Sequence, residues 1–236
     1  MDRPFPIVSQ SFRIVLLAVV ATDLAFILTD LLAFIAEKAG WISVVPPFLK
    51  ITRDEALPEL VGYLKWLVII VALVWLSIRD RWSVPFRWSL VFVMILIDDS
   101  VQIHETLGLI LWDVIPFPPS LVDRGEDISE MIAFGCMGLI AMALTATLFT
   151  RHGPIARELS IRFLMIIAGL VFFGVVLDFL HQLISVASKG TAMDGLLPPF
   201  FSLLEDGGEM IMASIALAFV LTLPGFETSS RPIAAV

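Results

Sequence analysis

Charged residues and cysteine are both scarce in this chain of 236 residues. Charged side chains make up 16% of the sequence and hydrophobic ones 58%, with a mean hydropathy of +0.96. A typical soluble domain has about a quarter of its residues charged. The apolar surplus therefore excludes a soluble globular enzyme. The single cysteine, Cys136, excludes a disulfide framework and a cysteine-based metal cluster.

Basic residues are outnumbered by acidic ones. Fifteen Lys and Arg stand against 23 Asp and Glu, which gives a formal net charge of −8. This sign is wrong for binding nucleic acid, whose backbone attracts Lys and Arg. The composition instead predicts that the main partner of the chain is membrane lipid.

Six apolar stretches reach the ~20 residues that are needed to cross ~30 Å of hydrocarbon. The first contains Asp23 and Asp30 and is longer than the apolar part of a signal peptide, so we expect it to be a retained span. The sequence thus predicts an all-α integral membrane protein with one transmembrane domain over residues 1–236. The stretches are residues 12–36, 58–78, 86–112, 125–150, 160–187 and 200–224.

The basic residues that lie between the spans predict the orientation. Nine fall on the side that holds both termini: Arg3, Arg13, Arg79, Arg81, Arg87, Arg151, Arg157, Arg162 and Arg231. Five fall on the other side: Lys38, Lys50, Arg53, Arg124 and Lys189. Because Lys and Arg accumulate in cytoplasmic loops, we expect both termini in the cytoplasm and the protein in the plasma (inner) membrane. Most of the acids then lie in the outer half of the spans or outside.

An internal repeat is visible in the loops after spans 1, 3 and 5. PPSLVDRGEDISEM from Pro118 and PPFFSLLEDGGEM from Pro198 share a Pro-Pro pair followed by Glu-Asp-x-x-Glu-Met, and PPFLKITRDEALPEL from Pro46 is a weaker copy. Upstream, Asp98-x-x-x-Gln102 parallels Asp178-x-x-x-Gln182. A repeat of this length indicates a repeated supersecondary unit. We expect three helical hairpins, over residues 12–78, 86–150 and 160–224.

Each copy also contains the pattern of a capping box, in which a polar side chain and a Glu three residues later bond to the free N–H groups at a helix start. This pattern predicts that spans 2, 4 and 6 begin near these residues. The pairs are Thr52 with Glu55, Asp123 with Glu126, and Ser202 with Glu205.

The acids and histidines within the spans are the candidate functional residues. Each costs about +2.5–3.5 kcal/mol on insertion scales, so such residues are functional candidates by default. Lys65 and Arg124 are the nearest basic residues, too few to neutralise these acids. A bound divalent metal would do so, and carboxylates with His suit Fe or Mn, with Zn as a third choice. The predicted ligands are Asp98, Asp99, His104, Glu126, Glu130, Asp178, His181, Glu205 and Glu209.

Structural roles compete with this interpretation. Glu126 and Glu205 could serve only as helix caps, and Asp178 with His181 could be a hydrogen-bonded pair between helices. His104 lies off the face of a continuous helix that carries Asp98, which weakens its assignment as a ligand.

Three functions remain open. The first is a membrane metal-binding protein with one or two metal ions near the outer side. As an enzyme it would be an oxidoreductase or a hydrolase acting on a lipophilic small molecule. The second is a transporter or channel for divalent cations or protons, which the repeats and buried acids favour and the apolar inner halves oppose. The third is an electron-transfer subunit in which His104 and His181 bind haem.

Overall fold

The structure is a computed structural model that describes residues 10–53, 55–118, 124–150 and 152–223. Within these residues the fold is all-helical and contains no strand. A short 3₁₀ turn at Pro47–Leu49 follows the first helix, and a π-helical segment at Phe172–Leu177 joins α6 to α7. The helices are α1 Gln10–Lys38, α2 Leu57–Asp80, α3 Ser83–Val101, α4 Ile103–Val114, α5 Gly125–Thr150, α6 Pro154–Val171, α7 Asp178–Ser188 and α8 Leu197–Leu221.

Four helical stretches are long and apolar enough to cross a membrane, as expected of a membrane protein. They are Phe12–Lys38, Leu57–Asp80, Gly125–Phe149 and Pro154–Ser188, the last of which runs through α6, the π-helical segment and α7. Large apolar side chains point outward along them, and Leu17 and Leu139 are 69% and 64% exposed. Exposed apolar surface of this kind is stable in lipid and not in water.

The remaining two predicted spans differ from simple apolar helices. The stretch 86–112 is divided between α3 and α4 at Gln102, whose backbone is left-handed with φ 53° and ψ 49°. The stretch 200–224 corresponds to α8, which is continuous but contains Glu205, Asp206 and Glu209. The acids within both stretches lower their apolar character.

Helix α8 is the centre of the packing. It contacts α1, α2, α6, the π-helical segment and α7. α2 also packs along α3, and α4 packs along α5, while α1 packs mainly against α8. The apolar core includes Trp88, which contacts Phe163 with ring centroids 4.9 Å apart and donates a hydrogen bond to Ser160 at 3.1 Å.

A buried ion pair joins three of these helices. The ammonium group of Lys65 on α2 donates to the carboxylate of Asp23 on α1, and its second bond is to the carbonyl of Met210 on α8 at 3.3 Å. The hydroxyl of Ser214 on α8 donates to the other oxygen of Asp23. Asp23 is completely buried and Lys65 is 5% exposed. The pair therefore links α1, α2 and α8 at one point inside the bundle.

Two of the three predicted capping boxes are wrong. Helix α2 begins at Leu57, after Glu55, because Pro58 occupies its first turn. Helix α8 begins at Leu197 with Pro198 in its first turn, so Ser202 lies within the helix and donates instead to Asp206 at 3.3 Å. The third box depends on Asp123, which lies outside the described residues.

Candidate metal centre

Three predicted ligands from two helices meet at one point. Asp178 and His181 lie on α7, one helical turn apart, and Glu205 lies on α8. One donor atom from each of the three side chains lies within 4.8 Å of the other two, and His181 Nδ1 is 3.3 Å from Glu205 Oε2. All three side chains are half-buried. Two carboxylates and an imidazole at this spacing can coordinate one divalent ion.

Gln182 supports this group from the next position of α7. Its amide nitrogen donates to both carboxylate oxygens of Asp178, each at 3.1 Å. Its oxygen Oε1 is buried and has no hydrogen-bond donor within the described part of the chain. A buried acceptor without a partner costs free energy, and a ligated metal or its bound water would satisfy an acceptor at this place.

Glu209 lies one turn further along α8, where the backbone of the π-helical segment approaches it. A Cβ atom added at Gly174 would collide with the carboxylate of Glu209. The side chain interacts electrostatically with Asp99, Asp178, Glu205 and Asp206. Glu209 is therefore enclosed among other acids, beside the group of three.

Asp98 and His104 form a second pair, which depends on the break at Gln102. The carboxylate of Asp98 accepts the backbone N–H of His104 at 2.9 Å, and its two oxygens lie 3.0 Å from the ring nitrogen Nδ1. The ring stacks on Phe134 of α5 with centroids 4.2 Å apart. With Nδ1 bound to Asp98, the other nitrogen Nε2 is directed toward Glu105, 3.9 Å away. In metal sites a carboxylate commonly orients a histidine ligand in this way.

The remaining predicted ligands lie around these groups. Glu130 of α5 packs so closely on Gly108 of α4 that an added Cβ would lie 2.5 Å from its Cγ, and it interacts electrostatically with His104 and Asp178. Asp99 accepts a hydrogen bond from the indole of Trp66 at 3.1 Å. Glu126 is exposed in the first turn of α5.

Among the described residues, only Asp178, His181 and Glu205 have three donor atoms at ligand distance. Asp98, Asp99, His104, Glu126, Glu130 and Glu209 do not join them at that distance. The sequence pattern located α7 and the acids of α8, but it favoured Glu209 as the ligand and assigned Glu205 a competing capping role, whereas Glu205 is the residue that approaches His181. Glu205 lies within α8 and not at its first turn, so the capping role that competed with ligation does not apply.

The negative charge of this region is not neutralised by the lysine of α2. Lys65 is bound to Asp23 and to the carbonyl of Met210, so it is not available to the acids on α7. Carboxylates that lie close together in a medium of low dielectric require protons or a cation. The region can therefore bind a metal ion or hold protons.

The sequence model of a protein family matches residues 12–223, which is most of the chain. The family is described as Domain of unknown function (DUF8692). No curated protein and no solved structure matches the chain.

Proposed function

The chain belongs to this family of unknown function, and we propose that it is a membrane-embedded metal-binding protein whose ion is held by Asp178, His181 and Glu205. The observation that carries this proposal is the meeting of three donor atoms, from two helices, within 4.8 Å. The imidazole of His181 beside Glu205 and the amide that Gln182 donates to Asp178 also support the proposal.

The donor set favours iron or manganese, with zinc as the third choice, because mixed carboxylate and imidazole ligands suit these ions. Three protein ligands leave coordination positions open to water or substrate. The pair of Asp98 and His104 lies in the same region, and its histidine interacts electrostatically with Asp178. It is suited to hold a proton near the metal or to ligate a second ion together with Glu130.

As an enzyme, the protein would act on a lipophilic small molecule that reaches the site from the membrane. The bound ion would supply Lewis-acid or redox chemistry. The residues of the chain would orient the ion through Gln182 and Asp178, and would exchange a proton through His104. Substrate access from lipid is supported by the exposed apolar side chains on the helices around the site.

The finer architecture is also a proposal. The stretch from α3 to α4 and helix α8 would complete six crossings, arranged as three hairpins with the site near the outer side. The shared Asp-x-x-x-Gln pattern and the matched acids of α5 and α8 support the repeat. The copies that contain Asp98 and Asp178 differ in where their helices depart from regular α-helix. The first has a break after Asp98, and the second has a π-helical segment before Asp178.

Elemental analysis of the protein, purified in detergent without chelator, tests the proposal. We expect at least one iron, manganese or zinc ion per chain. His181→Ala and Glu205→Gln should each lower metal affinity by more than the ~10–100-fold that is typical of losing a supporting residue. His152→Ala is the matched control, because this histidine contacts Ser83 and Thr147, away from the site, and it should retain the metal.

Thermal unfolding with added metal provides an independent measurement. Fe(II), Mn(II) or Zn(II) should raise the unfolding temperature of the chelator-treated protein, because binding to the folded state stabilises it. The same ions should have no such effect on His181→Ala. A protein that purifies without metal and is not stabilised by any of the three ions would refute the metal site.

A further inference from the structure

A polar pocket of about 530 Å³ opens where the loop before α2 meets the break between α3 and α4. This volume falls within the ~300–1,000 Å³ of typical small-molecule sites. Three carboxylates and one guanidinium line it, so both signs of charge are present with the acids in excess. The walls are Thr52, Arg53, Glu55, Glu59, Tyr63, Asp99, Ser100 and Gln102.

Two of the three carboxylates of the pocket, those of Glu59 and Asp99, are held in place by hydrogen bonds from the protein. Glu59 accepts bonds from the backbone N–H of Glu55 and from the hydroxyl of Tyr63, which also lies 3.1 Å from the carbonyl of Asp99. Asp99 accepts the indole N–H of Trp66 with Oδ2 only, and its Oδ1 accepts no hydrogen bond from the described residues. One wall of the pocket therefore presents a fixed acceptor that a donor from a ligand can use.

The pocket adjoins the first turns of α2, a helix long and apolar enough to cross a membrane. We therefore expect this end of α2, and the pocket beside it, to lie near the level of the lipid head groups. Leu60 and Val101 lie next to it in the chain and are 51% and 64% exposed. A ligand with a polar head and an apolar chain could contact both kinds of surface.

We propose that this pocket binds a zwitterionic group that combines an ammonium with a phosphate, of the phosphoethanolamine type. The ammonium donates to Glu55 and Asp99, and the phosphate pairs with Arg53, since guanidinium binds phosphate through two parallel bonds. The excess of carboxylates favours such a group over a simple anion. The proposal does not depend on the metal site, although Asp99 and Glu209 interact electrostatically across the space between them.

The same chemistry occurs in lipid head groups and in soluble phosphoamines, so the test has two arms. In the first, glycerophosphoethanolamine, ethanolamine and glycerophosphoglycerol are titrated into delipidated protein by calorimetry. In the second, the protein is placed in nanodiscs of mixed phosphatidylethanolamine and phosphatidylglycerol, and the lipid it retains is identified by native mass spectrometry. We expect glycerophosphoethanolamine to bind at least ~10-fold more tightly than ethanolamine or glycerophosphoglycerol, because only the zwitterion makes both charge-assisted contacts.

Arg53→Gln and Glu55→Gln are the test variants, because both side chains are exposed and their loss should not disturb folding. Each should weaken zwitterion binding at least ~10-fold and leave the metal content unchanged. Arg157→Gln and Glu37→Gln, also exposed, are the matched controls and should bind as the unaltered protein does.

Selective retention of phosphatidylethanolamine without binding of the soluble probe would support the proposal with a lipid as the ligand. Binding of the soluble probe without lipid selectivity would support it with a solute. The proposal is overturned if neither is bound, if ethanolamine binds as tightly as the zwitterion, or if Arg53→Gln has no effect.

Discussion

Asp23 and Asp98 are the two most deeply buried acids among the described residues. The burial of Asp23 is explained by partners distant in the chain, and that of Asp98 by a partner beyond a helix break. Asp23 accepts from Lys65 and Ser214, which are 42 and 191 positions away. Asp98 accepts both the backbone and the ring of His104. Burial alone therefore does not identify a ligand, because these two carboxylates already have donors.

Breaking the ion pair should be strongly destabilising. Lys65→Met leaves Asp23 buried without its cation, and removing one partner of a buried pair typically costs ~3–5 kcal/mol. Asp23→Asn in the same background removes the orphaned charge and should recover at least ~1 kcal/mol of that loss. Thermal unfolding of Lys65→Met, Asp23→Asn and the double variant in detergent measures both effects. Additive losses in the double variant would show that the two groups do not interact.

A substitution at Gly174 tests how closely the backbone of the π-helical segment approaches Glu209. Alanine there would displace the terminal carboxylate of Glu209, which a flexible side chain can accommodate, so we expect a loss of about 1 kcal/mol, at the low end of overpacking costs. Gly138→Ala is the control, since no atom lies within 4 Å of a Cβ at that position of α5. We expect Gly138→Ala to be neutral or slightly stabilising in an unfolding measurement. Equal stability of the two variants would contradict the contact between Gly174 and Glu209.

Among the helices, the break between α3 and α4 has the largest consequence for the pair of Asp98 and His104. A continuous helix would place Asp98, Gln102 and Glu105 on one face and His104 away from it. The left-handed backbone at Gln102 turns α4 so that His104 returns to Asp98. The related Gln182 lies in regular helix and donates to Asp178. The same sequence pattern thus has two different local structures.

Glycine substitution distinguishes the two glutamines. Left-handed backbone costs a residue with a side chain ~1–2 kcal/mol, and glycine avoids most of this. Gln102→Gly loses the interactions of the side chain but relieves the left-handed backbone, so it should cost less than Gln182→Gly. Gln182→Gly should lower the free energy of unfolding by ~1 kcal/mol or more, because it introduces glycine into a helix and removes the bonds to Asp178. Chemical unfolding in mixed micelles measures both, and a larger loss at position 102 than at position 182 would contradict the left-handed backbone at Gln102.

For the whole molecule, the distribution of basic residues predicts that both termini are cytoplasmic. Met193 lies in the loop between α7 and α8 and is 52% exposed. Ser83 is the first residue of α3, just after the end of α2, and is also exposed. In a variant whose Cys136 is replaced by Ala, Met193→Cys should react with a membrane-impermeant thiol reagent in intact cells. Ser83→Cys should react only after the cells are opened. The reverse pattern would place the candidate metal centre on the cytoplasmic side.

The sequence by itself determined the class of the protein and the approximate position of its helices. A surplus of apolar residues in stretches of about 20 can be satisfied only by helices in lipid, and four of the expected stretches are present as long apolar helices. It also identified Asp178, His181 and Glu205 as candidates, because ionisable residues in such stretches are costly. These inferences depend on composition and local spacing.

Only the tertiary structure decided which of the candidates meet. Whether Glu205 or Glu209 reaches His181 depends on how α8 packs against α7 and the π-helical segment. Whether Lys65 neutralises the acids of α7 depends on α1, which brings Asp23 to it from elsewhere in the chain. Contacts between residues far apart in sequence result from the packing of whole helices, so local patterns do not contain them.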